Sequence, residues 1–200
     1  MVKLIAVTGG IGSGKTVVMG YLKECGYTVV SCDDINKELY NKFWVKRGLK
    51  KLFPAAAKGL INITIDKSVI ANEVFSDREK LKKLNSFMHP KILKEASRRA
   101  HGLTFMEVPL LYECNLQKQF DGVIVIKRSV KDRIESVKNR SNLTEEQVIM
   151  RMRNQINYDT FDFGDAVIIN NDGDEKELKG KLLVSVREML NSRKIITDAE

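Results

Sequence analysis

Gly9-Gly10-Ile11-Gly12-Ser13-Gly14-Lys15-Thr16 fits the pattern G-x-x-x-x-G-K-[ST]. A polyphosphate needs many hydrogen-bond donors within a small volume, and glycines let backbone N–H groups approach it with no Cβ in the way. A helix beginning directly after such a loop adds a partial positive charge at its N-terminus. The flanks have the required character. Lys3–Thr8 reads KLIAVT, a short apolar run suited to a buried strand, and Val17–Glu24 reads VVMGYLKE, a helical pattern. Strand, glycine loop and helix together make residues 9–16 a candidate phosphate cradle. Lys15 would reach the terminal phosphates, and the Thr16 hydroxyl would serve as a ligand for Mg²⁺.

Four further apolar runs read as strands: Thr28–Ser31, Leu103–Val108, Gly122–Lys127 and Asp165–Ile169. Helical patterns separate them, and that alternation predicts a parallel sheet covered on both faces. Roughly seventy residues lie between Ser31 and Leu103, far more than one crossover helix requires. Within them Asp34–Leu49, Lys67–Phe75 and Asp77–Ala100 carry apolar residues at three- and four-residue spacing, with a turn-like break over Gly59–Asp66. This predicts a helical insertion over the C-terminal edge of the sheet, where ligands of open α/β sheets bind. His89-Pro90 is expected to interrupt the last of these helices. Ser129-Val-Lys-Asp132 and Thr144-Glu-Glu-Gln147 read as two capping boxes. They open helices running to about Arg140 and about Asn157, a basic hairpin with Ser141-Asn142 near its turn.

Composition limits the classes open to the chain. At 200 residues, 43% hydrophobic and 30% charged, it suits one globular domain with an insertion. No apolar run approaches the ~18 residues of a membrane span, and no leader peptide is read at the N-terminus. Cys25, Cys32 and Cys114 form no C-x-x-C and are expected as idle thiols in a reducing compartment, the cytoplasm. The net charge of +8 comes from Lys and Arg spread along the chain, so a solvated basic surface is favoured over a nucleic-acid site. Such a field also suits an anionic small substrate.

Several residues could carry chemistry. Asp33 and Asp34 follow the second strand, where a carboxylate could accept a hydroxyl proton during phosphoryl transfer or could cap the next helix. Glu107 ends the third strand and could hold Mg²⁺ or face solvent. Pro109-Leu110-Leu111-Tyr112-Glu113 could line a pocket beyond it. Arg140 could swing in to stabilise the charge of a transition state, or belong to a solvated helix. His89 could face a substrate or cap a kink. Asn170-Asn171-Asp172-Gly173 could meet a purine edge or form a plain turn.

Taken in order, these pieces resemble the dephospho-coenzyme A kinase family from Leu4 to about Leu190. The telling parts are Thr8–Thr16, Asp33, Leu84-Asn85 with His89-Pro90, Pro109-Leu-Leu-x-Glu113, Arg140 before Thr144, Gln155, and Asp165-x-Val-Ile-x-Asn170 with Gly173. The resemblance implies a P-loop α/β/α fold with a five-stranded parallel sheet, a helical coenzyme-A-binding insertion and a small helical lid. The expected organisation is one domain over 1–200. Its core covers about 1–38, 102–135 and 158–200, the insertion about 39–101 and the lid about 136–157.

The implied reaction is ATP-dependent phosphorylation of the ribose 3′-hydroxyl of dephospho-CoA. The alternative is another small-molecule P-loop kinase of the nucleoside monophosphate or shikimate type. The resemblance makes Asp33 the general base, with Lys15 and Arg140 stabilising the transferring group. It assigns Gly9, Gly10, Ile11, Gly12, Ser13, Gly14, Lys15, Thr16, Asn170 and Gly173 to ATP. It assigns Asp33, His89, Pro109, Leu110, Leu111, Glu113 and Arg140 to the acceptor, and Thr16 and Glu107 to Mg²⁺. A monomer with no nucleic-acid or membrane partner is expected. The chain departs from the family pattern at Glu107, where Asp is usual, at Thr16, where Ser is usual, and at Lys67, where Arg is usual. Ser136 stands where a lid Arg is usual, and Arg133, one turn earlier, is the candidate to replace it.

Overall fold

In the computed structural model, residues 2–141 and 143–192 are described, apart from the side chains of Phe75 and Ser76. Asn142, placed by the sequence at the hairpin turn, lies outside them. The chain divides into two compact units, one of residues 1–30 and 100–200 and one of Ser31–Arg99.

The first unit contains a five-stranded sheet in the order β2-β5-β1-β6-β7. Its strands are β1 (Lys3–Gly9), β2 (Thr28–Ser31), β5 (Leu103–Glu107), β6 (Gly122–Lys127) and β7 (Val167–Asn170). Strand β1 pairs in parallel with β5 and β6, in the registers Val7 to Glu107 and Thr8 to Val125. Strand β6 pairs in parallel with β7. The apolar runs read as strands are these strands, and the expected parallel α/β fold is the fold observed. Strand β7 starts at Val167, two residues later than the sequence suggested.

Strand alternation places Ile5, Val7, Phe105, Ile124, Ile126 and Ile169 in one buried layer. Against it pack α1 (Lys15–Glu24), through Val18, Met19, Tyr21 and Leu22, and α8 (Glu175–Ser192), through Leu178, Leu182, Val186 and Met189. These spacings of three and four residues keep one helix face on the sheet. Each fully buried aliphatic side chain here contributes roughly 1.5–3 kcal/mol of transfer free energy. The chain leaves β1 for one side of the sheet and reaches the other side only after β5. The loop following β1 therefore opens at the carboxyl edge near the reversal of strand order, the ligand position of doubly wound sheets.

The same unit holds α6 (Val130–Arg140) and α7 (Glu145–Arg153). At α7 both halves of the capping box form between Thr144 and Gln147. At α6 only half does: Ser129 Oγ accepts from the Asp132 N–H, while the Ser129 N–H donates to Asp172 Oδ1 at 3.1 Å. Asp132 is one methylene shorter than the Glu of a full box, and its carboxylate instead accepts the Ser129 hydroxyl at 2.6 Å. Helix α7 stops at Arg153, capped by Asn154, rather than near Asn157.

The second unit is helical. The single helix expected over Asp34–Leu49 is two, α2 (Cys32–Leu39) and α3 (Phe43–Leu52), parted at Tyr40-Asn41-Lys42. The break over Gly59–Asp66 holds a small antiparallel ladder of β3 (Ala57–Lys58) and β4 (Thr64–Ile65). Helix α4 (Lys67–Ser76) starts under the Asp66 cap, whose carboxylate accepts from the Ser68 N–H at 2.9 Å. Helix α5 (Arg78–Arg99) runs unbroken through Pro90, contrary to the expected interruption. Pro90 removes one helical N–H, but the turn is held elsewhere: Met88, Ile92 and Ala96 are buried, and Lys91 Nζ donates to the Phe87 carbonyl at 2.6 Å. The Phe87 ring lies on Gly48 of α3, leaving no space for a Cβ there. Arg99 bridges Glu38 of α2 and Glu95 of its own helix.

Candidate functional site

The phosphate loop leaves β1 at Gly9 and enters α1 through Gly14. Gly12 and Gly14 have φ of 79° and 97°, left-handed values that favour glycine. Both are also closely overlain. A Cβ on Gly14 would strike the Asn171 amide, and one on Gly12 the Arg133 carbonyl. Among the described residues the N–H groups of Gly12, Gly14 and Thr16 have no acceptor. The Ser13 side chain is buried and its hydroxyl has no partner. Unspent donors gathered at a helix start are a nest for an anion. Lys15 Nζ lies over the loop, donating to the Gly9 and Gly10 carbonyls at 2.9 and 3.1 Å.

Three side chains from distant parts of the first unit hold this loop. Arg133 Nε donates to the Ile11 carbonyl at 3.1 Å. Gln155 Oε1 accepts from the Ile11 N–H at 2.8 Å. Asn171 Nδ2 donates to the Ser13 carbonyl at 2.8 Å, and the Asn171 N–H is tied to the Lys127 carbonyl. Of these, Gln155 entered the sequence reading only as a motif residue, and Asn171 only within a segment read as a purine-edge contact or a plain turn. Neither was expected to hold the phosphate loop. Asn170 and Gly173, expected at the nucleotide, flank Asn171: Asn170 ends β7, and Gly173 lies against the Glu177 carboxylate.

Glu107 ends β5 and is half-buried, in register with Val7 just before the loop. Thr16 is the second residue of α1. Among the described residues no group of three or more His, Cys, Asp or Glu side chains is placed to hold a metal. A hydroxyl and one carboxylate are nonetheless the hard oxygen donors that Mg²⁺ takes when waters and phosphate oxygens complete its shell.

Pro109–Glu113 forms a turn beyond β5. Leu110 has φ of 58°, an uncommon value for a residue with a Cβ. Leu111 and Tyr112 are buried, and Glu113 Oε1 accepts from the Ile156 N–H at 3.0 Å. The turn is thus fastened to the segment after α7. Arg140 ends α6, exposed, and lines an open hollow of about 480 Å³ with Arg128, Asp132, Glu135, Ser136 and Asn139. It lies seven residues beyond Arg133, about 10 Å along the axis on the same helical side.

In the second unit, α2 is capped by Ser31, whose Oγ accepts from the Asp34 N–H at 3.2 Å. Neither Asp33 nor Asp34 is therefore the cap. Asp34 pairs with Lys37 at 2.8 Å, which lowers its pKa. Asp33, exposed in the same first turn, makes no hydrogen bond or ion pair among the described residues. His89 is half-buried in α5, and burial lowers its pKa.

Comparison with known proteins gives the family. A profile of the dephospho-CoA kinase family matches residues 3–177. A dephospho-CoA kinase of Thermus thermophilus is 32% identical over 196 residues, covering 96% of this chain and 94% of that protein. One from Bacillus licheniformis is 30% identical over 194 residues, covering 91% and 94%. A crystal structure of a Thermus thermophilus protein superposes with a TM-score of 0.78 at 31% identity, covering 93% of this chain and 97% of that one. The dephospho-CoA kinase of Campylobacter jejuni, 23% identical with a TM-score of 0.56 and coverage of 94% and 97%, shares the fold. The chain belongs to the dephospho-CoA kinase family.

Proposed function

We propose that this kinase moves the γ-phosphoryl group of Mg-ATP to the ribose 3′-hydroxyl of dephospho-CoA, giving coenzyme A, with residues 9–16 as the phosphate site and Asp33 as general base. The observation that carries the phosphate site is the set of N–H groups at Gly12, Gly14 and Thr16 without an acceptor among the described residues, in the loop whose Gly9 and Gly10 carbonyls hold the Lys15 ammonium. Lys15 exchanges its carbonyl partners for the β- and γ-phosphates and follows the charge that develops during transfer. The basic field of a chain with net charge +8 draws in both anionic substrates.

Asp33 accepts the proton of the 3′-hydroxyl as its oxygen attacks phosphorus. Its neighbour Asp34 is paired with Lys37, whereas Asp33 makes no hydrogen bond or ion pair among the described residues, which supports choosing it. Arg140 stabilises the transferring group from the lid, and closure of α6 and α7 excludes water before transfer. His89, Pro109, Leu110, Leu111 and Glu113 border the acceptor in this reading, and Asn170 and Gly173 border the base of ATP. Thr16 and Glu107 would hold Mg²⁺. When bound, the ion supplies charge neutralisation on the phosphate oxygens. The three free cysteines fit a reducing compartment, and we place the enzyme in the cytoplasm.

The test is turnover. Purified chain with Mg-ATP and dephospho-CoA should yield coenzyme A by mass spectrometry, with gluconate, shikimate and nucleoside monophosphates left unphosphorylated. Faster phosphorylation of any of those acceptors would overturn the assignment.

A further inference from the structure

Arg133 is the one fully buried charged side chain among the described residues, 4% exposed. The notion that it stands in for a mobile lid arginine does not suit that burial. Its Nε reaches the Ile11 carbonyl, and its guanidinium lies flat against Gly10, where a Cβ would sit 2.7 Å from Cζ. Its own backbone carbonyl closes on Gly12. No carboxylate lies within ion-pair distance among the described residues, and its terminal amino groups make no hydrogen bond there. A buried cation with no ion-pair partner among the described residues is expensive, so its place beside an anion site needs a reason.

The peptide planes around Ile11 supply one. The Ile11–Gly12 bond is trans, so its C=O and N–H point in opposite directions. Arg133 holds that carbonyl, which turns the Gly12 N–H, without an acceptor among the described residues, the other way. The preceding plane is held at both ends: Gln155 takes the Ile11 N–H, and Lys15 Nζ and the Ser13 N–H take the Gly10 carbonyl. A Gly-rich loop would otherwise sample many plane orientations, each with its donors aimed differently.

We infer that Arg133 and Gln155 are positioning residues that clamp Ile11 from both sides and so aim the Gly12 N–H at the phosphates of bound nucleotide. This rests on residues 9–16 being the phosphate site. The clamp acts on phosphate recognition alone and leaves recognition of the adenosine part unchanged. That separates it from a general contribution to folding.

The experiment is calorimetric binding of ADP and of adenosine to wild type, Arg133→Met, Arg133→Lys and Gln155→Met, with melting temperatures for each. Arg133→Met should weaken ADP about tenfold to a hundredfold, the worth of a charge-assisted hydrogen bond. Adenosine affinity should stay within about twofold, and Arg133→Lys should recover part of the ADP loss. Gln155→Met, which removes no charge, should weaken ADP in the same selective manner and carries the test alone if Arg133→Met does not fold. Equal losses for ADP and adenosine, or unchanged ADP affinity in folded variants, would overturn the clamp. Failure of wild type to bind ADP would instead overturn the phosphate-site reading beneath it.

Discussion

Replacing Gly14 by Ala tests the loop geometry by two separable effects. The first is backbone strain, because Gly14 has φ of 97° and ψ of 16°, a left-handed conformation costing an L-residue roughly 1–2 kcal/mol. The second is a collision. The new methyl group occupies the place of the Asn171 amide and forces it off the Ser13 carbonyl, which it now meets at 2.8 Å. That lost bond is worth about 1 kcal/mol, and more if the buried carbonyl finds no water. Gly14→Ala should therefore destabilise by roughly 2–3 kcal/mol, a fall of about 4–12 °C in Tm for a chain of this size. Asn171→Ala alone loses only the hydrogen bond. In the double variant the collision has no object, so its destabilisation should fall short of the sum of the two by about 1 kcal/mol. Thermal melts of all four proteins without nucleotide measure this. Strict additivity, or a Gly14→Ala variant melting within about 1 °C of wild type, would refute the reasoning.

Two further predictions follow from the same geometry. Lys15→Ala removes the ammonium lying over the Gly9 and Gly10 carbonyls and should lower kcat/KM for ATP at least ~100-fold while leaving Tm little changed, read by coupled assay and melting. His89 has its pKa lowered by burial, so the unfolded chain takes up its proton at a higher pH than the folded one. Its contribution to stability is complete above the unfolded value of about 6.5 and is lost as pH falls below it. Wild type should lose more Tm than His89→Gln between pH 7.5 and 5.5, and identical losses would contradict the assignment.

The sheet and the loop were legible because their signals are local. Apolar runs as dense as Gly122–Lys127 have few other uses, and four glycines before Lys15-Thr16 demand an unusual backbone. Features decided by distant contacts were hidden. Asn171 read as part of a turn or a purine-edge loop because its partner Ser13 lies 158 positions away. Arg133 read as a candidate lid arginine because it lies one turn before Ser136, and only tertiary packing sets it against Gly10. The division between α2 and α3 carries no Gly or Pro, so local sequence left it unmarked. At Pro90 the local rule was clear but was outweighed by the buried face of α5.

The account stands most directly on Asp33. Steady-state kinetics with Mg-ATP and dephospho-CoA, alongside ADP binding, should be measured for wild type and Asp33→Asn. The account predicts a fall in kcat of about 10²-fold or more with ADP affinity nearly unchanged. An Asp33→Asn enzyme turning over at the wild-type rate would contradict it.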